Sequence, residues 1–242
     1  MSLPPDDSDA LALRTRAEVG EFDGWRIVRA VGPADDLHRD SAAALESRAR
    51  QIRLLSASEP ALVLGASQSL DDVDNEALKR NRVELARRRS GGSAVLVGPE
   101  KVLWIDVIVP AGDPLWQADV SRAARWLGEL WAHALGPDAE VWDGAMRHSP
   151  WSRAVCFAGL GPGEVTIAGA KVVGISQRRT QRGALFQSAA LLAWEPRAYE
   201  RLLKPPRGAT ADQLDGVAVG IGAQRGEEVA EAFVRRLAHQ DD

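Results

Sequence analysis

Two segments of this 242-residue chain set fixed cations beside glycines: Arg87-Arg88-Arg89-Ser90-Gly91-Gly92-Ser93-Ala94-Val95 and Ala168-Gly169-Ala170-Lys171-Val172-Val173-Gly174-Ile175-Ser176-Gln177-Arg178-Arg179. Glycines let backbone approach a ligand closely, and the N–H groups of such turns can line a carboxylate or phosphate. Lys171 lies among apolar residues, where a lysine acts as a point charge on a carbonyl or phosphate oxygen. Cys156, the one cysteine, stands just before the glycine- and proline-rich Gly159-Leu160-Gly161-Pro162-Gly163. A thiol beside a mobile loop and fixed cations suits a nucleophile. These residue types point to a site for an anionic or acyl-carrying substrate.

Each feature also has a purely structural use. Arg87 to Arg89 suit a solvated strand end before a tight turn, with Arg87 and Arg89 on one face and Arg88 on the other. Lys171 suits an edge strand protected by a charge. Cys156 suits core packing. Trp142, Trp151 and Trp194 suit either the core or the walls of an acyl tunnel. The four histidines have no metal-ligand spacing, so no metal site is expected, and no Gly-x-x-x-x-Gly-Lys-Ser/Thr loop occurs.

The elements that must position these residues read as an α+β domain with a mixed, mostly antiparallel sheet flanked by helices. Strands are expected at Trp25–Ala30, Pro60–Gly65, Arg82–Arg89, Arg153–Phe157, Val165–Ile167, Lys171–Arg178 and Ala184–Leu192. Ala94–Val97 and Val102–Val109 flank a turn at Gly98-Pro99-Glu100-Lys101 and read as a hairpin. Helices are expected from Asp9 to Val19, Asp40 to Leu55, Asp71 or Asp72 to about Arg80, across 117–135, Pro196 to Leu203 and Glu227 to Ala238. The organisation expected is a flexible lead-in (1–22), a catalytic domain (23–203) and a short helical extension (204–242). Net charge of −4 gives no global attraction to nucleic acid or anionic membrane, so the local cationic clusters matter more than the total. Arg87–Arg89 and Arg178–Arg179 suggest a nucleic-acid-binding module as a distant reading, against which the acidic total argues. No apolar run is long enough to span a membrane, and no secretory signal is seen at the N-terminus. One cysteine forms no internal disulfide, which fits a cytoplasmic location.

Taken together, these residues resemble the biotin/lipoate A/B protein ligase family, in its lipoate–protein ligase and octanoyltransferase branch. Arg87–Val95 matches the family's arginine-rich Gly-Gly motif, Gly169–Arg179 its lysine strand, and Leu62–Gln68 its earlier strand with a Ser-Gln turn. The resemblance covers about residues 24–203 and implies a class II biotin/lipoate ligase-like catalytic domain. It implies Lys171 and Cys156 as catalytic residues. It implies an acyl pocket of Arg88, Arg89, Ser90, Gly91, Gly92, Ser93, Ala94, Ser67, Gln68, Gly169, Gly174 and Gln177. Some octanoyltransferases of the family carry a Cys-Phe pair about fifteen residues before the lysine, with a glutamate between, and Cys156-Phe157, Glu164 and Lys171 fall in that arrangement. That implies an octanoyl or lipoyl group passing from acyl-carrier protein through a Cys156 thioester to a lysine of a lipoyl-domain protein, with no cofactor. The alternative within the family is an ATP- and Mg-dependent lipoate–protein ligase acting through an adenylate. Ser93 stands where the ligase motif has a third glycine, Leu96-Val97 where a His-Asp pair often follows, and Phe186-Gln187-Ser188 where His-Gly is common. A non-catalytic acyl-binding relative is therefore a further reading.

Overall fold

The computed structural model describes residues 15–240. Its strands are β1 (Arg16–Phe22), β2 (Trp25–Gly32), β3 (Gln51–Ala57), β4 (Ala61–Leu64), β5 (Glu84–Arg87), β6 (Val95–Val97), β7 (Val102–Pro110), β8 (Ala139–Val141), β9 (Val165–Ile167), β10 (Ala170–Thr180) and β11 (Gly183–Leu191). The helices are α1 (Ala34–Ala44), α2 (Asn75–Asn81), α3 (Val120–Leu135), α4 (Pro196–Leu202) and α5 (Gly226–Ala238). An eight-stranded sheet runs β1-β2-β3-β7-β11-β10-β9-β8 and a three-stranded sheet β5-β4-β6. All pairs are antiparallel except β2 with β3 and β4 with β5, and each of those parallel pairs is joined through a helix, α1 or α2. The mixed α+β architecture expected from the sequence is the one observed.

The core forms between the large sheet and α3. Asp119 caps α3 by accepting from the Arg122 N–H, and Gly136 ends it at φ 99°. Ala123, Leu127, Leu130, Trp131 and Leu135 recur at helical spacing and are all buried. They meet Ile105, Val107, Val172 and Phe186 from the sheet. Burial of Trp131 alone is worth about 3–5 kcal/mol against alanine. Helix α5 closes the same core, with Phe233 4.7 Å from Trp131 between ring centroids. Residues of the 204–242 segment thus share the main core through Ile221, Val229, Phe233 and Leu237.

Several local expectations fail for identifiable reasons. The helix read across Asp40–Leu55 lies earlier, at Ala34–Ala44, and Arg48 in a left-handed conformation (φ 53°) turns the chain into β3. Gln51–Leu55 are buried without a break, because β3 is a central strand covered on both faces. Ile52 and Leu54 face the α3 core, whereas Leu55 packs with Leu37 of α1 and Trp104. Of the expected Asp9–Val19 helix, residues 9–14 lie outside the described residues. The stretch from Arg16 is strand β1, paired to β2 through a two-residue Asp23-Gly24 turn with both φ positive. Helix α2 starts at Asn75 and is capped by Asp74, not by Asp71 or Asp72. Strands β6 and β7 follow each other closely but join different sheets, so no hairpin forms there. The segment around Arg153–Phe157 is a turn leading into a short 3-10 helix, Cys156–Ala158.

Candidate active site

Cys156 is held at the small sheet by its backbone. The Cys156 N–H donates to Ala94 O (3.0 Å), and the Ala94 N–H donates to Ala154 O (3.0 Å). Ala94 is fully buried and acts here as a clamp rather than as a pocket wall. The thiol is half-buried at the junction of two cavities. One is a slot of about 50 Å³ between the two sheets, walled by Val63, Val95, Val97, Trp104, Phe157 and Ile175. The other is a groove of about 750 Å³ lined by Ser67, Gln68, Gly91, Gly92, Ser93, Lys171, Gln177 and neighbours.

Lys171 reaches this junction because β10 is irregular. Its register against β9 shifts between Lys171 and Val173, and the Lys171 N–H and C=O bond to Val217 and Val219. Residues three apart on a regular strand face opposite sides, and a bulge re-aims one of them. As a result the Lys171 side chain and the Gly174 face share one space. A Cβ on Gly174 would lie 3.5 Å from Lys171 Cε and 3.7 Å from Cys156 Sγ. Lys171 lies on an interior strand, only 2% exposed, so it does not protect a sheet edge. Its Nζ donates to Cys156 O (2.9 Å) and Gly159 O (2.9 Å), pairs with Glu164 Oε2 (2.7 Å), and stands 4.0 Å from Cys156 Sγ. It also lies 5.1 Å over the Phe157 ring.

The arginine motif is differently employed. Arg88 is buried, and its guanidinium donates to Gly91 O (2.9 and 3.1 Å), Ser93 O (2.8 Å) and Val63 O (3.4 Å). Burial pulls it down from the ordinary arginine range, opposed by its attraction to Cys156. Arg88 therefore shapes the glycine turn from within while contributing positive charge near the thiol. Arg87 donates to the Gly65, Ala66 and Gln68 carbonyls. Arg89 is exposed and lies in a neighbouring cleft with Arg178, outside the groove. Gly65 permits the close crossing of the two turns, since a Cβ there would run into Gly92 O. Ser93 Oγ ties the turn to Ser152 O at 2.6 Å.

Of the remaining expected residues, Gln68 donates to Ala154 O (3.1 Å) and Gln177 to Val120 O (2.9 Å), both at the groove wall. Gly169 makes the left-handed β9–β10 turn with Ala168 (φ 78° and 50°) and lies outside the groove. Trp142, Trp151 and Trp194 line neither the slot nor the groove. Trp151 is buried in the smaller core with its indole N–H on Thr210 O, Trp194 bonds Leu214 O, and Trp142 bonds Ala145 O. Among the described residues, no His/Cys/Asp/Glu group is arranged to hold a metal ion. No helix among them is long and apolar enough to cross a membrane.

A polar network missed by sequence reading closes the slot. Ser90 Oγ lies 2.9 Å from Ser176 Oγ and donates to Gln187 Oε1 (2.7 Å). Gln187 Nε2 donates to His38 Nδ1 (2.9 Å) and Asp106 Oδ2 (3.4 Å). Burial, then the nearby Arg88 charge, pushes His38 down to about 3, so it is neutral at pH 7. Burial pushes Asp106 up to about 6, against hydrogen bonds from Ser41, Trp104 and Gln187 and the Arg53 charge. Glu164 was visible only as a member of a family pattern. His38, Asp106 and Gln187 are separated by 68 to 149 positions and leave no local signal.

Comparison with known proteins places these features among relatives. Residues 35–223 match the lipoyl protein ligase A/B catalytic domain. The chain is 30% identical over 211 residues to the octanoyltransferase LipM of Kyrpidia tusciae, covering 77% of this chain and 75% of that one. It is 31% identical over 152 residues to the octanoyltransferase LipM of Geobacillus kaustophilus, covering 58% of this chain and 53% of that one. In fold it is similar to a bipartite lipoate protein ligase from Thermoplasma acidophilum, solved with its E2 lipoyl domain (TM-score 0.64, 18% identity, 85% of this chain and 78% of that one). It is likewise similar to lipoate-protein ligase A bound with ATP (TM-score 0.62, 19% identity, 85% and 80%).

Proposed function

We propose that this chain, which belongs to the lipoyl protein ligase A/B catalytic domain family, moves an octanoyl or lipoyl group onto a lysine of a lipoyl-domain protein through a Cys156 thioester. The observation that carries this reading is the position of Cys156 Sγ, where a wide groove meets a narrow apolar slot, 4.0 Å from the Lys171 ammonium. The acyl chain lies where the slot opens into the groove, since the slot alone, at about 50 Å³, is smaller than an octanoyl chain. The groove admits first the donor's thioester arm and then the acceptor lysine. Acyl-carrier protein is the proposed donor.

In the first half-reaction the Cys156 thiolate attacks the donor thioester carbonyl. The donor C–S bond breaks, the carrier's sulfur takes the proton that Cys156 gave up and leaves as a thiol, and the acyl–Sγ bond forms. In the second half, the acceptor lysine, as a neutral amine, attacks that carbonyl. The Sγ–acyl bond breaks, an amide forms, and the amine's proton returns to the sulfur. Lys171 and Arg88 place positive charge beside the sulfur that attacks. No nucleotide is consumed on this route.

Incubation with octanoyl-acyl-carrier protein and intact mass spectrometry tests it. Wild type is expected to gain one acyl mass, labile to hydroxylamine, and Cys156→Ala to gain none. Equal behaviour of the two proteins sinks the mechanism. The competing ligase reading predicts modification that requires ATP and the free acid and survives Cys156→Ala. An acyl-binding relative without catalysis predicts ligand binding with neither outcome.

A further inference from the structure

Glu164 does more than accompany the lysine. Its Oε2 accepts from Lys171 Nζ (2.7 Å) and from the Gly161 N–H (2.7 Å), and its Oε1 accepts from the Ile175 N–H (3.2 Å). It thereby joins the cation, the loop after Cys156 and the β10 residue that walls both cavities. An ammonium has three N–H donors. All three have acceptors here: Glu164 Oε2, Cys156 O and Gly159 O. Held this way, Lys171 has no lone pair with which to take the thiol proton and no free N–H for an acyl carbonyl. Toward Sγ it offers a fixed charge and a long hydrogen bond at 4.0 Å.

That charge depends on Glu164. The Lys171 side chain is 3% exposed and that of Glu164 11%. An ammonium taken out of water this far needs an anionic partner to offset its desolvation, and breaking such a buried pair is costly. Other charged groups lie near. Arg88 attracts Cys156 from the turn after β5. Arg147, His148 and Asp215 line a cavity on another side of Lys171. Among the hydrogen bonds and ion pairs of Lys171, the Glu164 carboxylate is the only carboxylate partner within the described residues.

We infer that Glu164 is a positioning residue that fixes the Lys171 ammonium above the Cys156 turn and so sets the reactivity of the Cys156 thiol. This deepens the acyl-transfer reading, since it concerns that reading's nucleophile. The test needs no acyl donor. Cys156 in the full chain is alkylated with iodoacetamide across pH 5–10 and followed by intact mass, with circular dichroism confirming each fold. Glu164→Gln is expected to move the alkylation profile at least one pH unit upward, about a tenfold loss of rate at neutral pH. Glu164→Asp is expected to recover part of the shift, Lys171→Met to match Glu164→Gln, and the double variant to add nothing to Lys171→Met. A folded Glu164→Gln protein with the wild-type profile overturns the inference. If Glu164→Gln does not fold, a double variant with a profile different from Lys171→Met overturns it. Should the shift occur while wild type forms no acyl adduct, the acyl-transfer reading fails and the assignment of Glu164 stands.

Discussion

Replacing Asp106 by Asn should change how stability follows pH. Asp106 is fully buried and pushed up to about 6 from an ordinary 3.8, first by burial. The folded state therefore holds its proton to higher pH than the unfolded chain does. The stability this contributes is complete below pH 3.8 and is lost as pH rises through 6. That interval, at about 1.4 kcal/mol per unit, is worth about 3 kcal/mol. His38 works in the opposite sense. It is held at about 3 against an ordinary 6.5, so its contribution is complete above pH 6.5 and lost as pH falls toward 3. The total is about 5 kcal/mol. Between about pH 4 and 6 the two slopes oppose and nearly cancel. Asp106→Asn removes one of them and exposes the other. As pH falls through that window, the variant should lose about 1.4 kcal/mol of stability per unit relative to wild type. Arg53, which faces Asp106 from β3, stays charged throughout, so its lost partner adds a nearly constant offset. Urea unfolding of both proteins at pH 4, 5, 6 and 7 measures the difference directly. It should shift by about 3 kcal/mol in favour of wild type between pH 7 and pH 4. A difference that stays constant within about 0.5 kcal/mol would refute the argument that burial dominates at Asp106.

Two further substitutions probe the walls of the site. Gly174→Ala places a Cβ in ordinary contact with Phe157, Lys171 and Cys156 Sγ, so the melting temperature should change by no more than a few degrees. Octanoyl transfer should nonetheless fall about tenfold or more, because the methyl occupies space beside the sulfur; unchanged transfer kinetics would remove Gly174 from the site. Gly65→Ala drives a Cβ into Gly92 O and forces the two turns apart. It should cost about 1–3 kcal/mol in chemical denaturation, and a neutral effect would mean the turns are not locked together.

What could be read from the chain was what depends on neighbours in sequence. Helix α3 followed from its apolar spacing and its Gly136-Pro137 stop. Strands β4, β9, β10 and β11 followed from apolar runs bounded by turn residues. Elements whose character depends on a distant cover did not. The Ala-, Leu- and Arg-rich stretch near residue 50 has helical composition, yet it becomes β3 because both faces of a central strand are covered. The arrangement at Arg153–Phe157 depends on Ala94, some sixty positions away.

The site divides in the same way. Sequence alone determined which groups are present: a thiol, a lysine among apolar residues, an arginine-rich glycine turn and the glutamate between Cys156 and Lys171. Tertiary structure decided how each is used. Arg88 turns its donors onto the carbonyls of its own loop, and Arg89 lies outside the groove. Lys171 directs its short hydrogen bonds to Glu164 and to the Cys156 and Gly159 carbonyls, and meets the sulfur only by a long contact and its charge. His38 and Asp106 acquire their unusual protonation only when helix α1 and strands β3, β7 and β11 remove water around them. Residue type sets which charges and donors a chain carries; their partners and their solvent are set by residues far away in sequence, and those two things determine chemistry.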